Sequence, residues 1–273
     1  MVAIHYTGAG AAVRLGEVSR ALTRAALAAM EAPSFHNTQP WRWHIDGERA
    51  ELTADHRRRL PDDPDERQVT ISCGAALHHA LVVLAADGIG VEVDRCAQPR
   101  VPGPVAVLRY TGPAAREPRA ERLRRAIAVR RTDRRTIADE PVPVATVRLL
   151  RAVAEDAGAH LHLLAGPEAA EATAPYARRA VITTAGDRPH DWLVAGEALS
   201  AVILNAAAEG LATSAEACPP TAVPPWLRRS LPPGAGCPAA LVRFGVAGRI
   251  GAVPRPPLRP AAEVIEVVAR DAF

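Results

Sequence analysis

The chain contains no lysine: all 33 of its basic residues are arginine, against 30 Asp and Glu. Alongside abundant Ala and 25 Pro, this reads as coding bias, so arginine content alone points to no nucleic-acid partner. The formal charge of +3 on 273 residues is too small to argue for a polyanion. Aromatic residues are scarce at 4%, so Ala, Val and Leu must fill the core. The four cysteines, Cys73, Cys96, Cys218 and Cys237, form no C-x-x-C and have no His pair at ligand spacing. They read as reduced, small, mostly buried side chains and give no metal site. No apolar run approaches membrane-spanning length and no leader-like apolar core opens the chain, so the sequence predicts a cytoplasmic protein. A dinucleotide-binding glycine loop is also missing.

What is present is ordinary for a globular chain: 48% hydrophobic and 23% charged residues. Apolar residues at helical spacing predict a first helix over Val13–Met30, ending before Pro33. Extended runs Trp41–Ile45 and Ala50–Ala54 flank Asp46-Gly47, a hairpin signal. A polar loop is expected over His56–Arg67, then a long helix over Ser72–Asp87 with Ser72 as cap and Gly88 as stop. Strands are predicted around Val91–Val93 and Val105–Tyr110. Helices should follow from about Ala120 to Arg130, and from Pro143 to about Ala157. Leu161–Leu164 reads as a strand, Pro167–Tyr176 as an Ala-rich helix, and Asp191–Glu209 as a strong helix stopped by Gly210. A Pro-rich loop with Trp226, a strand over Ala240–Val246 and a closing helix over Ala261–Val268 complete the chain. Long helices mixed with a few strands give an α+β fold.

The segments Gly74–Gly88 and Gly196–Gly210 match without a gap: both glycines, an Ala-Leu pair and a late Ala-Ala pair recur at one offset, close to half the chain. Either the chain is a duplicated unit, or two unrelated Ala-rich helices share glycine stops. Duplication predicts a pseudo-symmetric dimer on one chain, with an isologous interface.

Two motifs carry chemistry. In Ala32-Pro-Ser-Phe-His-Asn-Thr-Gln-Pro-Trp-Arg42, two prolines bracket short polar side chains. Pro33, Ser34, Asn37, Thr38 and Gln39 could form a rigid loop that reads the edge of a planar heterocycle. They could equally form a capped turn between helix and strand. In Arg130-Arg-Thr-Asp-Arg-Arg135, Arg130, Thr132 and Arg134 alternate and would share one side of an extended segment, suiting a phosphate, with Arg131 beside them. The alternative is a solvated basic face. A nucleic-acid patch is disfavoured because no aromatics interleave. Late in the chain, Pro254-Arg-Pro-Pro-Leu-Arg-Pro260 offers Arg255, and second Arg259, as a further phosphate ligand, or is a Pro-rich surface segment.

The first motif resembles the flavin-contacting loop of FMN-dependent nitroreductases, and the second resembles that family's R-x-S-x-R phosphate motif, with Thr132 in place of Ser. The combination is similar to the Acg-type actinobacterial branch of the nitroreductase-like superfamily. In homodimeric members each FMN lies between subunits. Here the first half has the loop and the second has the arginine motif, so the resemblance implies one FMN per chain. It implies an intramolecular pseudo-dimer of halves 1–118 and 119–273, a monomer or weak homodimer. The FMN contacts would be Pro33, Ser34, Asn37, Gln39, Arg130, Arg131, Thr132, Arg134 and Arg255. It further implies hydride transfer through flavin N5 between NAD(P)H and a small organic acceptor, with no catalytic side chain, no metal, no membrane and no nucleic acid. The alternative is a flavin-sequestering protein with little turnover. Acg-type chains carry a longer region before the stretch matching Asp187–Leu193, a region that can cover the flavin. Here the interval after Tyr176 is short.

Overall fold

A computed structural model describes residues 8–96, 103–135, 138, 140–164, 178–218, 225–248 and 253–268; side chains before residue 16 and that of Arg178 are outside the description. The expected helix at Pro167–Tyr176 also lies outside the described residues.

The α+β architecture is as the sequence predicts. Two long, buried helices, α2 (Arg67–Asp87) and α5 (Pro189–Ala208), pack on each other between two antiparallel-rich sheets. α1 (Gly8–Ala29), α3 (Pro118–Val129) and α4 (Val144–Asp156) flank them. α2 starts five residues before the expected Ser72. The reason is Asp63, whose carboxylate accepts the Gln68 and Val69 N–H groups at 3.0 and 3.1 Å and satisfies the helix start. Ser72 instead sits inside the helix and donates to the Gln68 carbonyl at 2.7 Å. Gly88 ends α2 with φ +73, a conformation for which glycine has no Cβ penalty.

α2 and α5 touch at their matching glycines. A Cβ on Gly74 would overlap the Leu193 carbonyl oxygen and lie 3.0 Å from Gly196 Cα; one on Gly196 would overlap the Ile71 carbonyl oxygen and lie 2.8 Å from Gly74 Cα. Each glycine therefore meets the carbonyl three residues before the other. The two helices pass the length and hydropathy of a membrane span, contrary to the sequence expectation, but 83% and 72% of those windows are buried inside the protein. That burial makes them core helices, apolar over most of their surface because protein covers most of it.

The first sheet runs β3 (Ile89–Arg95), β4 (Pro104–Pro113), β2 (Arg49–Ala54), β1 (Trp41–Asp46), β9 (Ile265–Val268). The second runs β7 (Ala212–Ala217), β8 (Cys237–Gly245), β6 (Arg178–Thr184), β5 (His160–Leu163). Apart from β9, the two orders are the same path through corresponding strands. The irregularities correspond too: β2 shifts register against β4 at Leu52/Thr53, with Thr53 opposite Pro104, and β6 shifts against β8 at Ile182/Thr183, with Thr183 opposite Pro238. A proline cannot donate to the ladder, and in each pairing the register shifts next to it. β6 and β7 were not expected; Ala212–Ala217 lacks the alternation that marks a strand. Trp226 lies in a short helix, α6 (Pro225–Ser230), rather than a loop.

The closing helix needs correction. Only Ala261–Val264 is helical, α7, and Ile265–Val268 is the strand β9, parallel to β1 with Trp43 opposite Ile265. The β-branched Ile265, Val267 and Val268 suit a strand, and β1 offers a free edge. This places a strand from late in the sequence in the sheet that holds β1–β4.

Candidate active site

The Pro33–Gln39 turn leaves α1 and enters β1. Phe35–Asn37 makes one 3₁₀ turn, and His36, Asn37 and Gln39 have φ of 53, 55 and 47. Three non-glycine residues in the left-handed region within four positions is a strained arrangement that the surroundings must hold. Inside the turn, Ser34 Oγ accepts the Gln39 N–H at 3.0 Å and Thr38 Oγ1 donates to the Phe35 carbonyl at 2.9 Å. Outside it, a Pro-rich strap over residues 253–260 lies alongside. Asn37 Nδ2 and Gln39 Nε2 donate to the Pro257 carbonyl at 3.0 and 3.1 Å, and Gln39 Oε1 accepts the Arg259 N–H at 2.9 Å. The Arg259 guanidinium donates to the Gln39 and Trp41 carbonyls and to Asp55 at 2.9, 3.3 and 3.2 Å. Burial raises the Asp55 pKa, but hydrogen bonds and charges from Arg42, Arg57 and Arg259 outweigh it and hold the carboxyl below the usual carboxylate range.

The arginine segment follows α3. Thr132 bridges to Thr213 of β7, and Asp133 donates its N–H to the Thr213 carbonyl at 2.8 Å. Alternation from this extended anchor sends Thr132 and Arg134 to one side, and Asp133 inward to the Arg135 guanidinium at 2.7 Å. Arg130 does not join them. It caps the end of α3 and is buried, with Nη2 donating to the Glu31 carbonyl at 3.1 Å. Burial, then the Arg131 charge, pulls its pKa down to about 10.

A cleft of about 290 Å³ joins these two segments. Pro33, Ser34, Phe35 and His36 form one wall, and Thr132 and Arg134 stand with Ala215–Ala217 of β7 on another. Ile71 of α2 and Leu199 of α5 add apolar surface, and Gln68 and Ser72 add polar surface. Arg134 is exposed and has no ion-pair partner among the described residues. The Gln68 Oε1 atom is buried without a hydrogen-bond partner.

Of the nine residues expected to contact a cofactor, Pro33, Ser34, Thr132 and Arg134 line this cleft. Asn37 and Gln39 do not: their amides are bonded to the strap. Arg130 and Arg131 line a separate cavity of about 240 Å³ beside Asp133. Arg255 pairs with the Glu31 carboxylate, while Arg259, second choice in the sequence, is the buried arginine of the strap. Gln68 escaped the sequence reading because the helix was expected to begin at Ser72. Ala215–Ala217 escaped because β7 carries no alternating pattern.

No family model matches the chain. It is similar to Rv3131 of Mycobacterium tuberculosis (strain H37Rv), which carries the provisional name NAD(P)H nitroreductase: 39% identity over 134 residues, 49% of this chain and 39% of that protein. The acg protein of the same strain, provisionally named likewise, is 39% identical over 115 residues, 41% of this chain and 34% of that protein. The matched stretch is thus well under half of each relative's length. In fold, the chain is similar to a protein from Anabaena variabilis that is provisionally named a nitroreductase, with a TM-score of 0.55 at 11% identity over 73% of this chain and 69% of that one. The chain is thus similar, over part of its length, to provisionally named mycobacterial NAD(P)H nitroreductases, the acg protein among them, and it shares its fold with a protein provisionally named likewise.

Proposed function

We propose that the chain is an FMN-dependent oxidoreductase that moves electrons from NAD(P)H to a small organic acceptor, with one FMN per chain in the cleft between the Pro33–His36 wall and Arg134. The carrying observation is that these two segments, about a hundred residues apart in sequence, face one cavity of about 290 Å³, a size at the lower bound of small-ligand sites. The donor set fits the group. Arg134 and Thr132 offer charge-assisted and neutral hydrogen bonds to a phosphate. Phe35, Ile71 and Leu199 offer apolar surface to a flat ring, and Ser34, Gln68 and Ser72 offer polar atoms to its edges. FMN, when bound, supplies hydride transfer through its own N5, so the protein's part is binding and orientation. The matching strand orders and the glycine contact support reading the chain as two fused halves, 1–118 and 119–273, whose second equivalent site has lost its motifs.

The absorption spectrum of the purified protein, after incubation with FMN and removal of the free cofactor, tests this. Bound flavin near one per chain, bleached by anaerobic NADPH or NADH, is the expected result. Bound flavin that resists both donors would favour a flavin-sequestering role, and failure to retain FMN would refute the reading.

A further inference from the structure

We infer that Arg259 is a positioning residue for the ligand-facing turn, acting through Gln39 from outside the cleft; this rests on the proposed flavin reading only for what the turn binds. The turn's left-handed residues have no glycine to relax them, so their geometry depends on outside bonds. Every polar group of the Gln39 amide is engaged there. Oε1 accepts from the Arg259 N–H at 2.9 Å, and Nε2 donates to Pro257 at 3.1 Å and to Asn37 at 3.4 Å. The Gln39 carbonyl itself accepts from Arg259 Nη1 at 2.9 Å. Gln39 is 4% exposed and the Arg259 side chain 7%, so these bonds are sheltered from water and cannot be exchanged for it at no cost.

The strap that carries Arg259 is itself held at both ends. Arg255 pairs with Glu31 at the start of the turn, and β9 is hydrogen-bonded into the first sheet beside β1. Its prolines, Pro254, Pro256, Pro257 and Pro260, restrict the backbone, so it resists bending. The planar guanidinium reaches two carbonyls and the Asp55 carboxylate at once. A lysine ammonium in its place would keep the charge facing Asp55 but lose this fork. The turn presents Pro33–His36 to the cleft and Asn37–Gln39 to the strap, so loosening the second set frees the first.

Arg259→Lys in the full chain is the test, read by hydrogen exchange and by binding of FMN and riboflavin. Exchange over residues 33–40 should rise roughly tenfold or more, from loss of at least one sheltered hydrogen bond. Exchange in α2 and α5 should stay unchanged. Both ligands should weaken by the same factor, because the turn faces the ring and not the phosphate. If the lysine variant does not fold, Gln39→Leu takes its place, since it cuts the amide links and leaves the Arg259–Asp55 pair. Unchanged exchange over 33–40 in a folded variant would overturn the inference, whatever FMN does. An increase spread evenly over the whole chain would overturn it as well, by showing a general stabilising role. A wild-type chain that binds no flavin would instead defeat the proposed function, leaving the exchange result to decide the role of Arg259.

Discussion

The contact between Gly74 and Gly196 makes a quantitative prediction about how the two long helices are joined. An alanine at either position puts a methyl group onto a backbone carbonyl of the facing helix, Leu193 in one case and Ile71 in the other. Neither oxygen can swing aside, because each belongs to a helix backbone. The helices must therefore separate at their crossing, loosening the packing between two largely buried elements. Overpacking of this kind costs about 3 kcal/mol or more, less the few tenths to 1 kcal/mol by which alanine favours a helix over glycine. Each single substitution should thus destabilise by roughly 2–3 kcal/mol. The double variant should cost clearly less than the sum, because the first methyl has already moved the helices apart and the second enters the gap. Urea unfolding of the four proteins measures the coupling. Additive losses would mean that the two glycines do not share a single contact, and a neutral single substitution would mean that the helices do not cross there.

Replacing Arg134 with Ala should weaken FMN by about 1.5–3 kcal/mol, the worth of a hydrogen bond to a charged group, and should leave riboflavin binding unchanged; isothermal titration with both ligands decides it, and equal loss for the two would remove Arg134 from the phosphate. His78 is held neutral to about pH 4 by burial and then by the Arg119 charge, so its folded pKa lies below the unfolded value of 6.5. The stability it permits is complete above pH 6.5 and is lost as pH falls toward 4, because the unfolded chain takes up the proton first. Denaturation midpoints between pH 7.5 and 4 should fall, and His78→Gln should flatten part of that fall. Arg67, buried at the start of α2, donates to Asp187 at 2.8 Å and to the Cys218 carbonyl at 2.6 Å. Asp187 is partly exposed and keeps Trp192 as a donor, so Arg67→Met should cost about 1–3 kcal/mol, chiefly by removing the donor from the Cys218 carbonyl, seen as a lower melting temperature; a change under 1 kcal/mol would show that water replaces it.

Periodicity and turn chemistry made most of the fold legible. Gly88 and Gly210 mark helix ends because a left-handed φ is cheap only there, and Pro143 marks a helix start for the reason that it lacks a donor. The same local logic failed where distant partners decide. Asp63 extends α2 backward by a bond no nearby pattern announces, and Ile265–Val268 is a strand because β1 waits beside it. At the candidate site, Thr132 and Arg134 were legible from alternation alone. Arg130 was not, since its position as the cap of α3 rotates it away from that face. Asn37 and Gln39 were read by their chemistry as ligand amides, yet what they bind is the strap, a segment some two hundred residues later that sequence spacing cannot bring near.

The pairing of Trp43 with Ile265 bears on the order in which the molecule can be completed. A strand near the start of the chain keeps an open edge until residues close to position 265 are available to it. Closing so long a loop is entropically slow even when its final cost grows only gently with length. During synthesis the nascent first sheet would thus leave the ribosome with β1 uncovered and its neighbouring turn untethered. Under the proposed function, flavin capture by that turn would be among the last events of folding, after α2 and α5 have met.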